Sequence, residues 1–127
     1  MKRHFLDERV YLKDLLPPGR GAVTSKTFER CEIVGPLNIY PIGGIIQNCV
    51  YHAVDYVMLD EDKVKSGNIH NCFVFNDCRF IDCKIFFVSF LITEGAFEAY
   101  NSMGGCNWIT KVPEKMKEIT SEAQNIR

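Results

Sequence analysis

A large apolar residue recurs at every fifth position from Phe75: Phe75, Phe80, Ile85 and Phe90. Two residues before each stands a second apolar side chain, at Phe73, Cys78, Cys83 and Val88, with Asp77 and Asp82 between. Neither the helical nor the strand period produces this spacing. It fits a chain that turns a corner every five residues. Asp suits such corners, because its carboxylate bonds nearby backbone and it tolerates left-handed φ.

A longer repeat accompanies the short one. Phe28-x-x-Cys31-x-Ile33, Ile46-x-x-Cys49-x-Tyr51 and Ile69-x-x-Cys72-x-Val74 share one template, at spacings of 18 and 23 residues. Four five-residue faces need about twenty residues, so the two periods together predict a solenoid. Each coil would pair its backbone with coils above and below, about 4.8 Å away. Large apolar side chains would fill the axis, with small ones such as Cys beside the corners.

The expected organisation is a single mainly β domain over residues 1–127, a short right-handed β-solenoid of about four coils with C-terminal capping helices. Residues 1–21 form an N-terminal strand and cap, with a strand near Arg9–Leu16 ended by Pro17-Pro18-Gly19-Arg20-Gly21. Residues 22–92 form the coils, and 53–67 loops out as an insertion in which Asp55–Leu59 could be a strand and residues 60–67 are charged. Pro41 has no backbone donor and belongs at a corner or strand end. Residues 93–127 form a helical cap. Thr93 begins a first helix with Ala96, Phe97, Tyr100 and Met103 on one face and Gly104 as its stop. A second helix starts near Pro113 and carries Met116, Ile119, Ala123 and Ile126.

Composition excludes several functions. Fifteen basic residues against sixteen acidic ones leave a net charge of −1. Binding nucleic acid through bulk electrostatics needs a basic stripe that this balance does not provide. The basic N-terminus has no apolar segment behind it, and no apolar run is long enough to cross a bilayer. The expectation is a cytoplasmic protein with neither membrane nor nucleic acid as partner. Its six cysteines are read as reduced core residues, since five of them occupy an apolar slot of the repeat.

The Phe73–Phe90 stretch, with the more degenerate units from Phe28 to Tyr51, resembles the pentapeptide-repeat proteins, which are right-handed quadrilateral β-helices. Phe75, Phe80, Ile85 and Phe90 match the family's large central slot. Cys78, Cys83 and Val88 match its small slot, and Phe73 departs from it. The resemblance implies a non-enzymatic scaffold without fixing a partner.

No constellation in the chain demands catalysis or a cofactor. Cys72, Cys78 and Cys83 are spaced for packing rather than for a zinc site. The stacked set Cys31, Cys49 and Cys72 could bring sulfurs together. His52 beside Asp55 could orient a base, but no nucleophile accompanies them. Asp60-Glu61-Asp62 lacks the spaced ligands of a calcium loop. The leading expectation is therefore a protein-binding module, an inhibitor or immunity-type protein among its forms, that pairs with another protein and forms a homodimer. Tyr40, Tyr51, His52, Asp55, Tyr56, Met58 and Trp108 are the candidate contact residues. Two alternatives are a carbohydrate-active or ligand-binding enzyme using a groove, and a metal or redox sensor built on the cysteines.

Overall fold

The computed structural model describes residues 2–18, 21–59, 62, 72–103 and 107–108. The chain is mainly β. Its strands are β1 (His4–Leu6), β2 (Arg9–Tyr11), β3 (Val23–Thr24), β4 (Thr27–Glu29), β5 (Glu32–Ile42), β6 (Ile45–Gln47), β7 (Val50–His52), β8 (Asp55–Leu59), β9 (Phe73–Asn76), β10 (Arg79–Ile81), β11 (Lys84–Thr93) and β12 (Asn107–Trp108). A 3-10 turn over Leu12–Leu15 follows β2. A second one, Glu94–Ala96, leads into helix α1 (Phe97–Met103).

All pairings among the described strands are parallel, and they form two sheets. The smaller runs β1-β4-β10-β6. In the larger, β12-β8-β11-β5-β9-β3 is the main path, β2 pairs with β5, and β7 pairs with β11. Their registers place like residues side by side. Phe5, Phe28, Phe80 and Ile46 form one inward row. Val10, Ile33, Ile85 and Tyr51 form the next. A third row holds Ile39, Phe90, Tyr56 and Trp108, and a fourth holds Val23, Phe75 and Pro41.

These rows are the core. Phe28, Ile33, Ile39, Tyr56, Phe75, Phe80, Ile85 and Phe90 are all buried. Rings in one row stack face to face, with centroids 5.0 Å apart for Phe5–Phe28 and 4.8 Å for Phe28–Phe80. Burying such a ring contributes about 1.5–3 kcal/mol, and a well-placed aromatic pair about 0.5–1.5 kcal/mol more. At the other side α1 lays Tyr100 edge-on to Tyr56 at 5.6 Å, and Phe97 lies 5.1 Å from Trp108.

The row order differs from chain order. Residues 73–93 lie between residues 23–42 and residues 45–59: β10 separates β4 from β6, and β11 separates β5 from β7 and β8. Phe28 and Ile46 are thus equivalent but not adjacent, because Phe80 stands between them. This corrects the reading of the 18-residue spacing as one step between neighbours. The template extends instead to Phe80-x-x-Cys83-x-Ile85 and Phe5-x-x-Glu8-x-Val10. Cys72 and Val74 do not share it, since Val74 pairs with Tyr40 near the end of β5. Ile69 lies outside the described residues.

Two further expectations change. The possible strand of the 53–67 insertion is present as β8, but Asp55–Leu59 pairs with Ser89–Thr93 within the larger sheet rather than looping out of it. Tyr56 there fills the aromatic row, which outweighs the charged residues that follow. The N-terminal strand is shorter than Arg9–Leu16, and a separate strand, β1, precedes it. The first helix lies where expected, although Thr93 makes no side-chain cap. Gly104 and the helix from Pro113 lie outside the described residues, as do residues 60, 61 and 63–67 of the insertion.

Candidate functional site

Between strands the backbone repeatedly enters the left-handed region. Asp7, Arg30, Asp82 and Asn48 occupy one corner at equivalent positions, with φ between 49 and 54°. Asp and Asn tolerate this conformation best, which is why the sequence places them there. The ladder continues through the corner: the amides of Asp7, Arg30 and Asp82 donate to Glu29, Ile81 and Gln47 carbonyls, each at 3.0 Å. Side chains add to it. Arg30 grips Asp7 with two hydrogen bonds of 2.8 and 3.2 Å, and Asn48 donates to Asp82 Oδ1 at 2.7 Å. The Arg30 guanidinium holds the Asp7 carboxyl below the usual carboxylate range.

Just inside this corner, Cys31, Cys83 and Cys49 each precede a paired residue of the same row, Glu32, Lys84 and Val50. Cys31 and Cys83 are buried and Cys49 is half-buried. The predicted stack therefore exists with Cys83 in the place expected for Cys72. Burial pushes the Cys31, Cys72 and Cys78 thiols up.

The outward side of β2, β5, β11 and β7 carries two columns. One is Arg9–Glu32–Lys84–Val50, and the other is Tyr11–Val34–Phe86–His52. Arg9 pairs with Glu32 at 3.2 Å, and the His52 ring stacks on Phe86 at 4.7 Å. Beside the second column Phe87 is 57% exposed, at a φ of 59°. It marks a bulge in which Gly35 and Pro36 face a single residue of β11. With Tyr11 at 44% and Val50 at 53% exposure, this flat face presents apolar surface rimmed by charge of both signs.

The predicted contact residues are dispersed. His52 lies on this face. Tyr51, its chain neighbour, is half-buried and points into the core. Tyr40, Asp55 and Met58 are half-buried on β5 and β8. Tyr56 is 1% exposed and is a core residue, so it cannot serve as a surface contact. Trp108 packs 5.0 Å from Tyr56 and donates its indole N–H to Asn101 at 3.2 Å. Tyr11, Val34, Phe86, Glu32 and Lys84 were missing from the predicted set. Aligning Arg9-Val10-Tyr11, Glu32-Ile33-Val34, Lys84-Ile85-Phe86 and Val50-Tyr51-His52 on their inward central residues would have found them.

His52 and Asp55 line neither of two grooves found among the described residues. One groove is lined by Pro41, Gly43, Ile45, Ile46, Phe75 and Tyr100 among others, and a second by Lys2, Phe5, Asp14, Leu16, Pro17 and Lys26 among others. Among the described residues no cluster of three or more His, Cys, Asp or Glu side chains is arranged to hold a metal ion. No helix among them is long and apolar enough to cross a membrane. Comparison with protein-family models, curated proteins and solved structures returned no match.

Proposed function

We propose that this chain is a short, pentapeptide-repeat-like β-solenoid that acts by binding protein rather than by catalysis. Its occupant is a second copy of itself, seated on the outward face of β2, β5, β11 and β7. In this reading the chain makes about four turns, residues 73–93 thread between two earlier ones, and α1 helps cap an end. The parallel in-register rows and the recurring left-handed corners support the winding. A cytoplasmic setting belongs to the same reading.

The observation that carries the pairing is the charge order of the outer column. A two-fold axis lying in the face, along the strands, reverses Arg9–Glu32–Lys84–Val50 against itself. Glu32 then meets Lys84 of the second copy, twice per dimer. The same rotation sets Val34 against Phe86 and Tyr11 against His52. Apolar contact supplies the attraction, and opposite charges fix the register. The face is only four strands wide, roughly 15–20 Å at the usual strand spacing. Dimerisation is therefore concentration-dependent, as for interfaces at the small end of the specific range.

Charge exchange tests this. Sedimentation equilibrium of the wild-type chain should show a monomer–dimer equilibrium. Glu32→Lys or Lys84→Glu alone should shift it towards monomer by roughly tenfold or more, because like charges then face each other. The double variant should recover the dimer. A wild-type chain that stays monomeric at all concentrations, or a double variant no better than the singles, would remove this face as the self-contact.

A further inference from the structure

The thiols inside the regular corner carry an inference independent of the protein-binding reading. Cys83 sits between Cys31 and Cys49 in consecutive strands. The Lys84 amide donates to the Cys31 carbonyl at 3.0 Å, and the Val50 amide donates to the Cys83 carbonyl at 2.9 Å. Neighbouring parallel strands run about 4.8 Å apart, within the roughly 4.4–6.8 Å between Cα atoms that a disulfide spans. The Cys49 thiol donates to the Phe80 carbonyl at 3.4 Å, and the Cys83 thiol to the Ile81 carbonyl next to it in the chain at 3.3 Å.

Exposure differs across the column. Cys31 and Cys83 are each 1% exposed, whereas Cys49 is half-buried, in the outermost of the three strand layers. A small solute from solvent meets Cys49 first.

We propose that Cys49 and Cys83 form a peroxide-oxidisable thiol pair, in which Cys49 meets the oxidant and Cys83 resolves it. The Cys49 thiolate attacks one oxygen of hydrogen peroxide. The O–O bond breaks, giving a Cys49 sulfenic acid and hydroxide, which takes up a proton as water. Cys83 sulfur then attacks Cys49 sulfur, the S–O bond breaks, and the departing hydroxide takes the Cys83 proton as a second water. Two thiols and one peroxide become one disulfide and two waters, with the sulfurs supplying both electrons.

The environment suits these roles. The adjoining Cys83 thiol, opposed by burial, draws the Cys49 thiol down to about 7, and the thiolate is the form that attacks peroxide. The same contact, with burial, pushes Cys83 up and keeps it protonated while Cys49 is anionic. Converting Cys49 to its sulfenic acid removes that anion and frees Cys83 to react. In-register parallel side chains start about 4.8 Å apart at Cβ, and a disulfide needs about 3.8 Å. The bond must draw the strands together locally, so thiol reductants reverse it readily.

Hydrogen peroxide itself is the probe. The wild-type chain, treated under native conditions and then alkylated in denaturant, should yield a Cys49–Cys83 cross-linked peptide that dithiothreitol reverses. Cys49 should be modified at least about tenfold faster than Cys31 or Cys78. Cys83→Ser should leave a Cys49 sulfenic acid trappable by dimedone, and Cys31→Ser should leave the cross-link intact. Cross-linking through Cys72 or Cys106 instead, or Cys49 reacting no faster than the buried thiols, would overturn the proposal. The cross-link map and rates of the unmutated chain decide the matter even where a variant fails to fold.

Discussion

Two corners of the molecule solve the same problem differently. At Asp7–Arg30–Asp82–Asn48 every strand spends the same number of residues, every residue turns with φ near 50°, and the side chains bond along the column. At the next corner the strands disagree. Gly35 and Pro36 occupy one, Phe87 another and Ala53 a third, with Phe87 and Ala53 in the left-handed region. Neither of those residues suits that conformation, at a cost of about 1–2 kcal/mol for each. The regular corner holds the thiol column inside. The irregular one throws Phe87 out beside the aromatic face. Regularity therefore serves packing, and its failure creates exposed surface.

Breaking the inward rows that both corners support should have the largest effect. Phe80 stacks on Phe28 and approaches Phe75 at 6.5 Å, so Phe80→Ala should cost about 3–5 kcal/mol in urea unfolding. A loss below about 1 kcal/mol would mean the row is not packed as described.

The irregular corner should break nearly as hard at its glycine. A Cβ on Gly35 would lie 2.0 Å from the Phe87 carbonyl oxygen, a backbone atom that cannot swing aside. Gly35→Ala should cost about 1–3 kcal/mol, as overpacking does. Gly44 is comparable at the corner that precedes β6, with a φ of 76° and a Cβ position 2.1 Å from the Cys78 carbonyl oxygen. Equal thermal stability of either alanine variant and wild type would refute these close approaches.

Phe87 sharpens the comparison in the opposite direction. Phe87→Asn should raise stability by up to about 1 kcal/mol, because Asn accepts the left-handed turn. The same substitution should weaken self-association, since it removes apolar surface beside the face. Calorimetry and sedimentation on one sample would read both effects.

Smallest is the pH response of the regular corner. Arg30 lowers the Asp7 carboxyl, so its contribution is present above the ordinary value of 3.8 and is lost as pH falls through the folded one. The acid-side melting profile of Asp7→Asn should be flatter than that of wild type below pH ~4. Superimposable profiles would show that the Arg30 pairing does not matter to stability.

Much of the core was legible in the sequence. Phe75, Phe80, Ile85 and Phe90 are all buried, as are Cys78, Cys83 and Val88, and Asp77 and Asp82 do turn the chain. A five-residue period states which side chain points inward at each step. It does not state which strand lies next to which, because equivalent residues of any two strands look alike. The 18 residues from Phe28 to Ile46 therefore read as one step, when Phe80 occupies the space between. The sequence puts Tyr56 in the 53–67 insertion and so among the surface contact residues. Its burial depends on Phe90, Tyr100 and Trp108, all distant in sequence. The aromatic face comes from four separated strands, so it emerges from the sequence only when those strands are aligned on their inward central residues.

That neighbour order underlies both proposals. It sets Lys84 beside Glu32, giving the charge column its sense, and it sets Cys83 between Cys31 and Cys49. Nuclear Overhauser contacts across the first row test it most directly. Phe80 should show cross-strand contacts to both Phe28 and Ile46, with none between the backbones of Phe28 and Ile46. A direct backbone contact between Phe28 and Ile46 would contradict the account.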